Sequence, residues 1–204
     1  MGTVRTSVAG VLLAAGEGSR FGRPKALVQL DGQTLAERGV DTLRAGGTDP
    51  IYVVTGAAPL DLDGVHTVYN HRWPTGMGSS LRAGLRALPL DVDAVVVALA
   101  DQPLVGAEAV ARLIAAFRSG VTVAVAAYEG KPRNPVLLAR EHWPEVIATA
   151  TGDQGARAFL RAHPDLVTLV ECGDTGRPDD IDTTADLDRI AAHHRGLRPP
   201  PSGQ

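Results

Sequence analysis

The stretch VLLAAGEGSRFGRPKAL, residues 11–27, sets glycines at 16, 18 and 22 directly after an apolar run and carries Arg20, Arg23 and Lys25. Glycines let backbone amides approach phosphate oxygens, and the cations supply countercharge, so the loop suits a phosphate chain. Two kinds of ligand bring one: a redox dinucleotide, bound whole, or a nucleoside triphosphate, to be cut. A dinucleotide fold needs a helix that opens inside the glycine loop and points its N-terminus at the pyrophosphate. Pro24 would sit in the second turn of that helix and break it, and no helical pattern begins before Thr34. The G-x-x-x-x-G-K-[ST] phosphate loop is absent as well. A triphosphate fits better, because the leaving pyrophosphate gathers negative charge that Arg20 and Lys25 can stabilise in the transition state. Only two lysines, Lys25 and Lys131, stand among the 20 basic residues, and a lysine kept in so arginine-rich a chain points to a need for a compact point charge.

Other candidates lie far away in sequence. Asp101 follows the apolar run DAVVVALA, so its carboxylate falls at a strand's end, where a hard oxygen ligand suits Mg²⁺ bound between protein and phosphates. Asp182 stands in DDIDTTADL, an aspartate-rich turn before the last helix; Thr183 or Thr184 can cap that helix, which leaves Asp182 for other work, with Asp180 its nearest competitor. Ser79 and Ser80 follow Gly76 and Gly78 at the opening of a helix, where one of them can serve as N-cap. The histidines lack metal-ligand spacing: His66 and His71 are five apart, and His193-His194 lie near the end of the chain. No G-x-S-x-G nucleophile turn is present. An acceptor that is already an anion needs no base to deprotonate it, so positioning and charge neutralisation suffice.

The elements that must position these residues alternate between apolar runs and amphipathic stretches. SVAGVLLAA, PIYVVTG, VHTVYN, DAVVVALA, VTVAVAAY and LVTLVEC read as strands, the continuously apolar ones buried on both faces. TLAERGVDTLRAGG, GSSLRAGLRALPL, EAVARLIAAFRSG, EHWPEVIATA, GARAFLRAHP and TADLDRIAAHH read as helices, and the pattern loosens through EGKPRNPVLLAR. Alternation of this kind predicts an α/β chain with a mainly parallel, mixed sheet and helices on both faces. Ligands of such sheets sit beyond the carboxyl ends of the strands, which gathers AAGEGSRFG, VTG, YNHRW and LADQP on one rim. The expectation is a single domain over residues 1–195 and a disordered, Pro-rich tail over 196–204.

Composition narrows the function classes. The 204 residues are 44% hydrophobic and 21% charged with a net charge of -3, which argues against a nucleic-acid binder, and no apolar run is long enough to span a membrane. The start MGTVRTSVAGVLLAAG imitates a signal peptide, but Arg5 is its only basic residue, and cleavage near Ala15 would discard the strand that feeds the glycine loop. A lone cysteine, Cys172, fits a reducing, cytoplasmic compartment. A nucleotide-binding module without catalysis would dispense with the charged rim, yet Arg20, Lys25 and Asp101 are all present.

The first loop resembles the signature of nucleotidyltransferases with a Rossmann-like, glycosyltransferase-A-like sheet. GMGSSLRAGL, ALADQPLV, RNPVLLAR, TGDQGAR and DIDTTADL, in this order over roughly residues 8 to 192, are similar to the cytidylyltransferases that act on molybdopterin cofactor, within the MobA-like nucleotidyltransferase family. The resemblance implies transfer of CMP from CTP to the phosphate of molybdenum cofactor, with Mg²⁺, or Mn²⁺ in its place, as cofactor and pyrophosphate as product. It implies nucleotide binding by Leu13, Ala14, Ala15, Gly16, Gly18, Ser19, Arg20 and Lys25, with the LAAG form leaning to CTP over GTP. It further implies that Ser80 lies by the base, that Asp101 and Asp182 hold the metal, and that Arg133 and Asn134 meet the acceptor. A molybdenum hydroxylase and a cofactor-inserting chaperone are its implied partners. Another small phosphorylated acceptor, such as a sugar or polyol phosphate, or GTP as donor, is the alternative.

Overall fold

A computed structural model describes residues 6–196. The elements run β1 (Val8–Leu13), β2 (Gln29–Leu30), β3 (Gln33–Thr34), α1 (Leu35–Ala45), β4 (Ile51–Thr55), β5 (His66–Tyr69), α2 (Met77–Ala87), β6 (Ala94–Leu99), α3 (Ala107–Arg118), β7 (Val123–Tyr128), β8 (Lys131–Ala139), α4 (Trp143–Thr149), α5 (Arg157–Ala162), β9 (Val167–Glu171) and α6 (Thr184–Gly196). Residues 197–204 of the expected tail lie outside the described residues, and α6 runs to Gly196.

Seven strands form one sheet in the order β5-β4-β1-β6-β8-β7-β9. Neighbours are parallel except where β8 runs against both β6 and β7. All six residues of β1 are buried, and their side chains alternate between two cores. Val8 and Leu12 meet Val40 and Leu43 of α1 and Val110 and Leu113 of α3 in one core; Ala9, Val11 and Leu13 share the other with Leu81 and Leu85 of α2, Val146 and Phe159. Burial on both faces is why these strands read as unbroken apolar runs. α1 starts where the sequence indicates: Thr34 and Glu37 form a reciprocal capping box, satisfying amides that the first turn leaves without partners.

One stretch departs from expectation. EGKPRNPVLLAR, which reads as irregular, contains the longest strand described. Its last four residues, Val136–Ala139, pair with β6, while Pro132 lies outside that ladder and pairs with Ala127 of β7. The proline therefore sits where no donor is owed to β6. The outer half, Lys131 to Arg133, is exposed, and this breaks the apolar run a buried strand would show.

The fold fixes where a ligand goes. The chain leaves β1 toward β4 on one side and returns to β6 on the other, so the order reverses between β1 and β6, the place where open α/β sheets bind ligands. Leu13 and Leu99, the last residues of these two strands, are register partners.

Candidate active site

Beyond Leu13 and Leu99 opens a cleft of about 510 Å³ lined by Leu13–Arg20, Lys25, Ala26, Trp73, Pro74, Gly76, Met77, Ser80, Leu99–Asp101, Asp153 and Asp182. It gathers every nucleotide, metal and catalytic residue expected from the sequence. Arg133 and Asn134 are not among its lining residues: both belong to β8, and Pro135 beside them borders a separate hollow with Gln102.

The glycine loop curls back on itself. Gly18 has φ +63°, and a Cβ there would collide with the Arg23 carbonyl, so only glycine makes this turn without strain. The Gly18 carbonyl accepts the Phe21 and Gly22 N–H groups at 2.8 and 2.9 Å. The reversal carries Pro24 and Lys25 under the ends of β1 and β6. A single 3-10 turn, Lys25–Leu27, stands there, and the first α-helix waits until Leu35. The glycine loop thus has no helix N-terminus of the dinucleotide-binding kind.

Lys25 Nζ sits between the two expected metal ligands, 3.1 Å from Asp101 Oδ2 and 2.6 Å from Asp182 Oδ1. Burial opposes the ammonium charge, but the bond to Asp182 and the field of Asp101 outweigh it, and the Lys25 pKa is raised. Burial is the largest influence on Asp101 and pushes its carboxyl above the usual range, against the pull of Lys25. The Asp101 side chain is 28% exposed and that of Asp182 47%. Asp182 reaches Asp101 across the sequence because the Asp101 carbonyl accepts the Ile181 N–H at 2.9 Å. Thr183 caps α6 through the Asp186 amide at 3.2 Å, as anticipated. Asp180 accepts from Gln102 Nε2 at 2.7 Å.

Two carboxylates converging on one cation are a hard-oxygen donor set that suits Mg²⁺ or Mn²⁺. The charge of the lining points the same way. The lining holds the cations Arg20 and Lys25 against the carboxylates Glu17, Asp101, Asp153 and Asp182, so a triphosphate enters a net negative site unless a divalent cation accompanies it.

The wall formed by the start of α2 rests on buried hydroxyls. α2 opens at Gly76, and neither serine is its N-cap; Ser79 and Ser80 lie inside the first turn, both 4% exposed. Gly76, with φ +101°, enters the helix without a side-chain cap, and the hydroxyls are engaged by Asn70 instead. Asn70 Nδ2 donates to Ser79 Oγ at 2.8 Å and Ser80 Oγ at 3.1 Å, and its Oδ1 accepts the Arg72 N–H at 2.9 Å. Gly56 of the VTG segment packs against Trp73, supporting the wall without lining it. Sequence reasoning passed over Glu17, Trp73, Met77 and Asp153 as lining residues and Asn70 as the organiser of the serines. Asn70 and Trp73 stand in the rim segment YNHRW, and Asp153 in TGDQGAR, one of the segments that carry the family resemblance; this was the available signal.

Comparisons with known proteins agree on the architecture. The model of a MobA-like NTP transferase domain matches residues 10–167. A protein of Paenarthrobacter nicotinovorans named nicotine blue oxidoreductase is 40% identical over 197 residues, covering 90% of this chain and 96% of its own. A solved structure from Mycobacterium sp. strain JC1, a homologue of the Mycobacterium tuberculosis protein Rv0371c, superposes with a TM-score of 0.82 at 31% identity, covering 94% and 98% of the two chains. The M. tuberculosis protein itself, solved with manganese, gives 0.75 at 26% identity over 92% and 99%.

Proposed function

The chain belongs to the MobA-like NTP transferase family and is a nucleotidyltransferase, and we propose that it transfers CMP from CTP to the terminal phosphate of molybdopterin cofactor. The observation that carries the reading is the Lys25–Asp101–Asp182 cluster at the mouth of β1 and β6, facing the glycine loop. An oxygen of the acceptor phosphate attacks the α-phosphorus of CTP. The bond from that phosphorus to the bridging oxygen breaks, and pyrophosphate leaves with the electron pair. No proton has to move, so the step needs no general base.

Arg20 and Lys25 hold the β- and γ-phosphates, together with amides of Gly16, Gly18 and Ser19. Asp101 and Asp182 would hold Mg²⁺, or Mn²⁺ as in the M. tuberculosis relative; the ion supplies charge neutralisation for the phosphates. Lys25 leaves the carboxylates for the phosphates when nucleotide arrives. The small side chains of Ala14 and Ala15, with Leu13 and Ser80 in the same lining, suit a compact pyrimidine. Arg133 and Asn134, on β8 at the same end of the sheet, are kept as acceptor contacts only for an acceptor that extends beyond the cleft. The reading places the protein in the cytoplasm, delivering its product to a molybdenum hydroxylase through a cofactor-inserting chaperone.

A second reading rests on the Paenarthrobacter nicotinovorans relative, whose name is that of an oxidoreductase. There the glycine loop would hold the pyrophosphate of a nicotinamide dinucleotide. Pro24 and the late start of α1 oppose it, since no helix N-terminus faces the loop.

Pyrophosphate release, measured with Mg²⁺ and each of CTP, GTP, ATP and UTP, with and without molybdopterin cofactor, tests the proposal. Release from CTP that depends on the cofactor is the expected result. Release from GTP instead, or only with a sugar or polyol phosphate, transfers the assignment to that donor or acceptor. Oxidation of NADH coupled to reduction of an added two-electron acceptor dye, without pyrophosphate release, would establish the second reading.

A further inference from the structure

The motif TGDQGAR is not used by the transfer chemistry above, yet the fold delivers it to the cleft. Asp153 stands on one tight turn, Gly152–Gln154, between Gly152 and Gly155 with φ of 49° and 53°. Its Oδ1 lies 3.4 Å from the Met77 N–H, in the first turn of α2, where amides lack intrahelical partners. A Cβ on Gly76 would lie 2.7 Å from that same oxygen and 2.5 Å from the Gly152 backbone. Glycine at 76 is therefore what lets the two segments meet. The outcome is a carboxylate in the lining beside the flat and apolar side chains of Trp73 and Met77, and near Ser80.

Asp101 and Asp182 pair with Lys25 at the phosphate end, whereas Asp153 meets a neutral backbone amide at the start of α2, which assigns it to the other end of the cleft. It is also acceptor-only when ionised, so it favours a ring edge that offers donors. We propose that Asp153 is a specificity-determining residue that accepts a hydrogen bond from the exocyclic amino group of the nucleobase, with Trp73 and Met77 against the ring face. Cytosine presents that amino group. Uracil presents a carbonyl at the same place, leaving acceptor against acceptor. The inference rests on the nucleotide reading of the cleft and deepens it by assigning the discrimination between the two pyrimidines to one side chain.

Asp153→Asn tests it, because an asparagine amide can donate to a carbonyl as well as accept from an amine. In the parent, kcat/KM for CTP should exceed that for UTP by on the order of tenfold to a hundredfold, the loss expected for one hydrogen bond to a charged group. In Asp153→Asn the ratio should collapse toward one, with UTP gaining in absolute terms, which general damage to the fold would not produce. Calorimetric titration of CMP and UMP into parent and variant gives the same comparison without turnover. A CTP:UTP ratio unchanged by the substitution, parent affinities equal for CMP and UMP, or an effect confined to the KM of the acceptor overturns the proposal. A parent that binds CMP over UMP but releases no pyrophosphate would instead overturn the transferase reading and leave this one standing.

Discussion

The two ends of the cleft are held in opposite ways. At one, Lys25 joins Asp101 and Asp182 by ion pairs that span 76 and 157 positions of sequence, with side chains 19% to 47% exposed. At the other, Asn70 joins Ser79 and Ser80 by neutral hydrogen bonds spanning 9 and 10 positions, all three residues no more than 5% exposed. Water screens the first set and competes for it, so its partners can change when phosphates and a metal arrive. The second set is shut away from water, and breaking it would leave buried polar atoms without partners. On the proposed reading, the charge is exchangeable at the phosphates' end and the shape is fixed at the base's end.

Substitutions can break this contrast. The largest effect is expected from Asp101→Asn: turnover should fall on the order of a hundredfold to a thousandfold, as when a group that stabilises transition-state charge is removed. The thermal midpoint should not fall, because burial already opposes the charge on this carboxyl. An unchanged rate would mean that the chemistry lies elsewhere. Lys25→Ala should cost on the order of a hundredfold in turnover and raise the KM for nucleotide. It also releases both carboxylates, so Mn²⁺ titrated into the nucleotide-free variant should bind more tightly than to the parent. Weaker binding would show that the lysine does not compete with the metal.

The neutral end should respond in stability first. Asn70→Ala takes their Asn70 partner from the Ser80 hydroxyl and the Arg72 amide, while Ser79 keeps the Arg72 and Gly76 carbonyls, and should cost about 1–3 kcal/mol, read by chemical denaturation, together with a higher KM for nucleotide. A variant as stable as the parent would show that the network does not hold the wall. The smallest effect is expected at Thr34→Ala, away from the cleft: about 1 kcal/mol from the lost cap, with kcat unchanged. The Thr34 amide and hydroxyl hold the Glu37 carboxyl below its usual 4.5. A carboxyl lowered by folding stabilises above its unfolded value, and that stabilisation is lost as pH falls through the folded value. The gap between parent and Thr34→Ala should therefore narrow in acid; a gap that widens there would contradict the capping box.

The same contrast explains what the sequence disclosed. The strands β1 and β6 were legible because burial on both faces leaves an unbroken apolar run, and α1 because Thr34 and Glu37 are a local signal. β8 was hidden because its outer half is exposed and carries prolines where only one neighbour needs its hydrogen bonds. In the cleft, Lys25, Asp101 and Asp182 were readable from residue type and from the ends of their elements. Their convergence on a single Nζ was not, since it depends on a backbone bond between Ile181 and Asp101. Asn70 and Asp153 stood inside quoted motifs yet carried no role there. Asn70's role arises when the end of β5 meets the first turn of α2, and Asp153's when the tight turn at Gly152 meets the entry to α2 at Gly76.

The most direct test follows the phosphorus itself. CTP labelled at the α-phosphorus is incubated with the protein, Mg²⁺ and molybdopterin cofactor, and the products are separated. The account predicts that the label passes to the pterin, that pyrophosphate leaves unlabelled, and that Lys25→Ala abolishes the transfer. Label that remains in CTP, or that is released as free CMP whether or not the acceptor is present, would contradict it.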